Sequence, residues 1–318
     1  MRPQVHAFRF AYVLVICLSH LCVLVTPRVS FAQGAAAQQE PQAEQQTLKL
    51  SPGALPPVVY PKTALRVGVL DAVLSGVGAS MAVVASIAGP AQDGPRGTGT
   101  PFDEAVRDAL LPSSFDWRLL FRDTSDALLG ASISYAFIGD ALIHATWLRK
   151  SPDVGIQMAL IDAEVTLLTL GVSQLTAHAV GRERPYGREC GNEFDEDAAH
   201  CTWNDRYLSF FSTHSSLSFA MAAVTCAHHN ALGLSGRHPW IPCAIGFTAA
   251  AVTAFSRIMA DQHYFTDVVT GAAVGTLVGF AVPAVHYGIG GLRPRGSTSS
   301  THVTILPTLG GVTVRGVW

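Results

Sequence analysis

The 318-residue chain is 49% hydrophobic and only 14% charged, well under the roughly 25% charge of ordinary soluble domains. With a mean hydropathy of +0.30, this composition predicts an all-α helical bundle associated with a membrane. The formal net charge of −2 excludes the broad basic field on which nucleic-acid binding depends.

In chain order, Arg2 and Arg9 precede the apolar stretch "FAYVLVICLSHLCVLV", and Ser30 and Ala32 stand before Gln33. Residues 1–32 therefore read as an export signal, with an uncleaved anchor as the alternative. Residues 33–61, rich in Gln, Ala and Pro, read as a disordered linker. Residues 62–125 hold a first apolar helix, over about 64–90, and a polar connecting segment whose "FDEAVRDALL" is amphipathic.

Residues 126–290 form the main helical domain. Apolar segments at 126–148, 155–180, 214–232, 239–255 and 265–289 are each near the ~20 residues that a membrane crossing needs. With the first helix they predict five to six membrane-associated helices. Asp140, His144, Asp162 and Glu164 lie inside two of them. An ionised residue at mid-membrane costs about 2.5–3.5 kcal/mol, so the acids must face other helices or be neutral. Gly271, Gly275 and Gly279 recur every fourth residue, which suits close helix packing.

Arg149-Lys150, Arg237, Arg293 and Arg295 share one side of the bundle, which the positive-inside rule puts in the cytoplasm. A cleaved signal together with a crossing at 64–90 reverses that orientation, so five crossings or a re-entrant first segment is expected. Residues 291–318 alternate in polarity and read as a hairpin or a disordered end.

Of six cysteines, Cys17 and Cys22 leave with the signal. Cys226 and Cys243 read as buried thiols in apolar helices. Cys190 and Cys201 flank the polar loop "CGNEFDEDAAHC" and are expected to form a disulfide in an oxidising compartment. The adjacent His228 and His229 diverge on a helix and read as packing residues rather than metal ligands.

Three polar stretches fall on the opposite side from the basic loops: "GRERPYG" (181–187), "FFSTHSS" (210–216) and "SRIMADQHYFTD" (256–267). Bundle folding brings these ends together. Arg184 and Arg257 offer planar donor forks that match phosphate oxygens. Ser212 adds a hydroxyl, and the amides at 213 and 214 open a helix, where anions are favoured. His263 and Asp267, four apart, share a helical face, so the carboxylate would fix the imidazole tautomer and free the other nitrogen to attack. His214 is a second imidazole, suited to protonating a leaving group. Such a set performs phosphoryl transfer with neither metal nor cofactor.

"SRIMADQHYFTD" fits the pattern S-R-x5-H-x3-D, "GRERP" is similar to the end of K-x6-R-P, and "FSTH" is similar to P-S-G-H. Together they resemble the three signatures of the type-2 phosphatidic acid phosphatase superfamily, which includes bacterial acid phosphatases and vanadium haloperoxidases. The resemblance covers roughly residues 126–290. It implies His263 as the nucleophile of a phosphohistidine, Asp267 as its orienting acid and His214 as the general acid. Arg184, Ser212, Thr213 (through its amide) and Arg257 would bind the phosphoryl group. The expected substrate is a phosphomonoester or a lipid phosphate or pyrophosphate, met at the periplasmic face. Membrane is the other expected partner, and no protein partner is inferred.

Departures from the pattern are specific. Ala177 occupies the register of the motif lysine, Phe211 that of proline and Thr213 that of glycine. Loss of one oxyanion donor costs on the order of a hundredfold in turnover. A catalytically impaired phosphate- or lipid-binding protein, a vanadate-dependent haloperoxidase, and a soluble periplasmic location are the alternatives that follow.

Overall fold

A computed structural model describes residues 56–288 except 92, 96–98, 193–197 and 203, and the strands at 302–308 and 311–317. The signal expected over 1–32 and most of the linker expected over 33–61 lie outside the described residues. The end of that linker is a correction. Val58 and Tyr60 are buried, the Val58 amide donates to Ser151 Oγ at 2.9 Å, and Tyr60 packs on Tyr287. Apolar side chains in a Pro-rich segment here dock onto the bundle instead of staying in solvent.

Seven principal helices follow. They are α1 (Val69–Ala88), α2 (Pro101–Leu110), α3 (Phe115–Ser134), α4 (Pro152–Val180), α5 (Thr213–Leu232), α6 (Trp240–Met259) and α7 (Phe265–Tyr287). α3 runs directly into a 14-residue π-helical segment, Tyr135–Leu148. The sequence placed the start of this helix near 126. Asp116, Arg118, Arg122 and Asp123 dilute the apolar signal of its first turns. At the C-terminus, His302–Thr308 pairs antiparallel with Gly311–Val317, the hairpin alternative for the tail.

Five described helical stretches are long and apolar enough to cross a bilayer, the build of an integral membrane protein. Among them is Val69–Ala88, so the five include the first apolar helix. α1 packs along α4, with Gly78 set against the Leu167 backbone and Gly171 against Gly78 itself. α5, rich in Ser and His, is not among the five, yet most of its residues are buried. A helix encased by its neighbours needs no apolar outer face.

α5 and α7 meet through the glycine series. A methyl group on Gly271 would lie 2.6 Å from Ser212 O, and methyls on Gly275 and Gly279 would strike the backbone carbonyls of Ser216 and Ala220. Such backbone approach is what small residues at fourfold spacing permit. Another link is a correction to the sequence reading. Cys226 and Cys243 form a disulfide rather than remaining thiols, because the end of α5 and the start of α6 are antiparallel neighbours.

Inside the bundle the acidic residues find partners, as their cost requires. Asp140 meets His229, Asp162 meets His228, and Glu164 meets His286. The adjacent histidines of α5 point to different helices.

Gly275→Leu should lower the thermal stability of the detergent-solubilised protein by about 1–3 kcal/mol or more, the cost of overpacking. Gly130→Ala, in α3 with open space around it, should be neutral or stabilise by up to ~1 kcal/mol. Thermal unfolding of the two variants side by side checks the contrast.

Candidate active site

Three loops are stitched together at one end of the bundle. Ser209 N donates to Arg182 O at 3.0 Å, Tyr186 N to Asp261 O at 3.2 Å, and Ser212 N to Asp267 O at 3.1 Å. These bonds join the segment after α4, the segment before α5 and the turn between α6 and α7. Asp261 holds that turn at φ 58, a left-handed conformation that Asp tolerates better than most residues.

His263 sits in the turn, 3% exposed. Its Nδ1–H donates to Ser209 O at 2.8 Å. A carbonyl only accepts, so the proton is on Nδ1 and Nε2 keeps its lone pair. Burial holds the imidazole well below its ordinary pKa, and the charges of Arg184, Arg257 and His214 push the same way.

The expected contact from Asp267 is corrected. Its Oδ2 lies 4.0 Å from His263 Nδ1, too far for a hydrogen bond. The four-residue spacing serves a helix start instead. α7 begins at Phe265, and Asp267 accepts from Tyr264 N at 2.9 Å. Asp267 also accepts from Ser209 Oγ at 2.6 Å. It therefore holds the residue whose carbonyl holds the histidine.

Arg184 and Arg257 converge. Arg184 Nη1 donates to Gln262 Oε1 at 2.6 Å and Arg257 Nη2 to the same oxygen at 3.3 Å. The Nε of each arginine is buried without an acceptor, a donor surplus that invites an anion. Arg257 Nη1 also reaches Ser125 Oγ at 3.2 Å and Asp126 Oδ1 at 3.4 Å. His214, in the first turn of α5, has its Nε2 2.8 Å from Asp126 Oδ1. Burial and the charge of Arg257 outweigh that carboxylate and lower the imidazole pKa to about 4.

The remaining candidates are placed as follows. Ser212 caps α5, its Oγ accepting from Ser215 N at 3.3 Å. The Thr213 hydroxyl accepts from Gln174 Nε2 at 3.2 Å, so the side chain leans toward α4. Phe211, in the register of the motif proline, is 3% exposed and is part of the packing. Ala177 is buried, and neither His178 nor Arg182 takes the place of the motif lysine. His178 Nδ1 bonds Gln174 O within its helix at 2.8 Å. Arg182 is clamped between Asp103 Oδ2 at 2.8 Å and Asp267 Oδ1 at 2.6 Å. Cys190 and Cys201 are disulfide-bonded, closing the loop beside the site.

Sequence reading missed Asp126, Gln262, Ser209, Asp103 and the clamping role of Arg182. Gln262 lies inside the quoted third block and had a signal, a polar side chain beside His263. Asp126 comes from a helix with no motif of its own.

Comparison with known proteins adds an independent line. Residues 159–290 match the model of the PAP2 superfamily. Over 123 residues the chain is 35% identical to the lipid A 1-phosphatase of Porphyromonas gingivalis. That alignment covers 39% of this chain and 22% of the relative's length. No solved structure matches. The segment carrying all three stitched loops, residues 159–290, belongs to the PAP2 superfamily.

Proposed function

We propose that the protein is a lipid phosphatase that hydrolyses a phosphate or pyrophosphate ester through a phosphohistidine on His263. The observation that carries this reading is the free Nε2 of His263, its tautomer set by Ser209 and its charge suppressed first by burial and then by Arg184 and Arg257. Those guanidinium groups already share one oxygen, that of Gln262, and a phosphoryl oxygen is a stronger acceptor. Nε2 attacks phosphorus, the bond to the leaving oxygen breaks, and His214 delivers its proton to that oxygen. Water then attacks the phosphohistidine, giving a proton to His214 and releasing phosphate with His263 restored. Charge on the equatorial oxygens is met by Arg184, Arg257 and the amides opening α5. The apolar helices around the site and the named activity of the P. gingivalis relative support a lipid-linked substrate.

We further propose that this end faces the periplasm. Arg149-Lys150 mark the opposite end as cytoplasmic; the Cys190–Cys201 disulfide fits an oxidising compartment but has a counterpart, Cys226–Cys243, at that opposite end. With α1 crossing, residues 56–68 then lie on the cytoplasmic side, opposite to where a cleaved export signal would leave them. The positive charge of Arg149-Lys150 carries our choice between those two readings.

Three outcomes are expected. Detergent-purified protein should release phosphate from a lipid phosphate. His263→Ala should reduce that rate about 10⁴-fold or more and Arg257→Lys about 10²–10³-fold; wild-type protein inert toward lipid phosphates, pyrophosphates and simple phosphomonoesters would sink the proposal. Protonating His263 removes the nucleophile, and its depressed pKa moves that loss to lower pH. The acid limb of kcat/KM that reports His263 should therefore lie below the range of about pH 5.5–7.5 where free imidazole titrates, and Arg184→Gln should shift that limb upward. In intact cells a membrane-impermeant maleimide should label Asp116→Cys and spare Lys150→Cys; the reverse pattern would refute the periplasmic orientation.

A further inference from the structure

Far from the active site, at the other end of α5, a second set of imidazoles and carboxylates is buried in the bundle. His229 lies fifteen residues beyond His214, roughly 22 Å along the helix axis at 1.5 Å per residue. We infer that Asp140, His144 and His229 form a binding site for one divalent transition-metal ion of the zinc type. This inference is independent of the phosphatase reading.

The three donor atoms all lie within 4.8 Å of one another. His229 Nε2 is 3.1 and 3.0 Å from the two oxygens of Asp140. His144 Nδ1 is 3.9 Å from Asp140 Oδ1, beyond hydrogen-bonding range. Ligands about 2.0–2.2 Å from a tetrahedral zinc ion stand roughly 3.4 Å apart, so these spacings bracket what a bridging ion requires. The rings of His144 and His229 lie 5.8 Å apart between centroids, tilted by 57°.

The surroundings suit a ligand set. The second nitrogen of His229, Nδ1, is held by Ser235 Oγ at 2.5 Å, an outer partner of the kind that orients metal-bound imidazoles. Asp140 and His229 are each 1% exposed, whereas the His144 side chain keeps 23%, which leaves an entry path. Two nitrogens and a carboxylate favour zinc, iron(II), cobalt or nickel over magnesium and calcium, which take oxygen ligands.

A separate feature points to the same place. Asp140 and His144 are carried by the π-helical segment Tyr135–Leu148, and π-helical turns are rare and concentrate at functional sites. A bound ion would tie that segment to the last turn of α5 and neutralise a carboxylate that is costly inside a membrane.

The test uses the full chain in detergent, treated with a chelator and then titrated with Co²⁺. One equivalent should produce the visible absorption of cobalt in a low-coordinate nitrogen/oxygen site, and Zn²⁺ should abolish it. Zn²⁺ should also raise the melting temperature of the wild type. His144→Ala, at the partly exposed ligand, should weaken binding at least 10–100-fold and remove the Zn²⁺-dependent shift. Asp140→Asn should do the same, and an unchanged melting temperature of metal-free His144→Ala shows that the variant is folded. Absence of a cobalt spectrum in the wild type overturns the inference. So does a spectrum that survives His144→Ala, or one that disappears only in His286→Ala, which alters the separate Asp71–Glu164–His286 cluster.

Discussion

The site depends on one buried guanidinium. Arg182 is held by Asp103 on one side and Asp267 on the other, with its plane 4.3 Å from the centre of the Tyr264 ring. It thereby joins the loop after α4, the amphipathic α2 and the first turn of α7. Asp103 adds bonds from Thr266 N and Thr266 Oγ1, each at 2.9 Å. Burial pushes the Asp103 pKa up, but bonds from Arg182, Thr266 and Thr100 more than offset it, so the carboxylate stays ionised. Removing one member of such a buried cluster leaves an unpaired charge, at a cost of about 3–5 kcal/mol. From Asp267 the order passes through Ser209 to His263. His263 is thus positioned at the end of a chain that starts with an ion pair.

The bundle below supplies rigidity by two different means. α5 and α7 pack backbone to backbone through glycines, which fixes the spacing between Ser212, at the start of α5, and Asp267, at the start of α7. Histidine–carboxylate pairs at the far end fix the other termini of the same helices. Polar residues inside an apolar bundle are expensive unless paired. Here each of those acids meets an imidazole on another helix, so the pairing also specifies which helices are neighbours.

The helices and the three loops were legible in the sequence because periodicity and local motif chemistry act over short spans. What escaped depends on tertiary register. Asp126 reaches His214 from a helix 88 residues earlier in the chain. Ser209 contributes its backbone carbonyl to His263, a role that side-chain identity does not advertise. The spacing of His263 and Asp267 fits a helical pair and a helix cap equally well, and only the start of α7 at Phe265 decides for the cap. Cys226 and Cys243 met for a similar reason: facing depends on how two helices are rotated.

Asp126 explains how a site without the motif lysine keeps its charges in order. Its carboxylate is close to His214 at 2.8 Å and farther from Arg257 at 3.4 Å, so it is first the partner of the imidazole. Burial and the Arg257 charge nonetheless lower the His214 pKa to about 4. In the proposed reaction a phosphoryl group would compete with Asp126 for Arg257. The weaker contact is the one that yields, and Asp126, with 43% of its side chain exposed, has solvent into which to move. Arg184 and Arg257 are then both free to turn from Gln262 toward the incoming oxygens. The present partners of the two arginines, a neutral amide and a carboxylate already engaged with His214, are ones that a phosphoryl oxygen could displace.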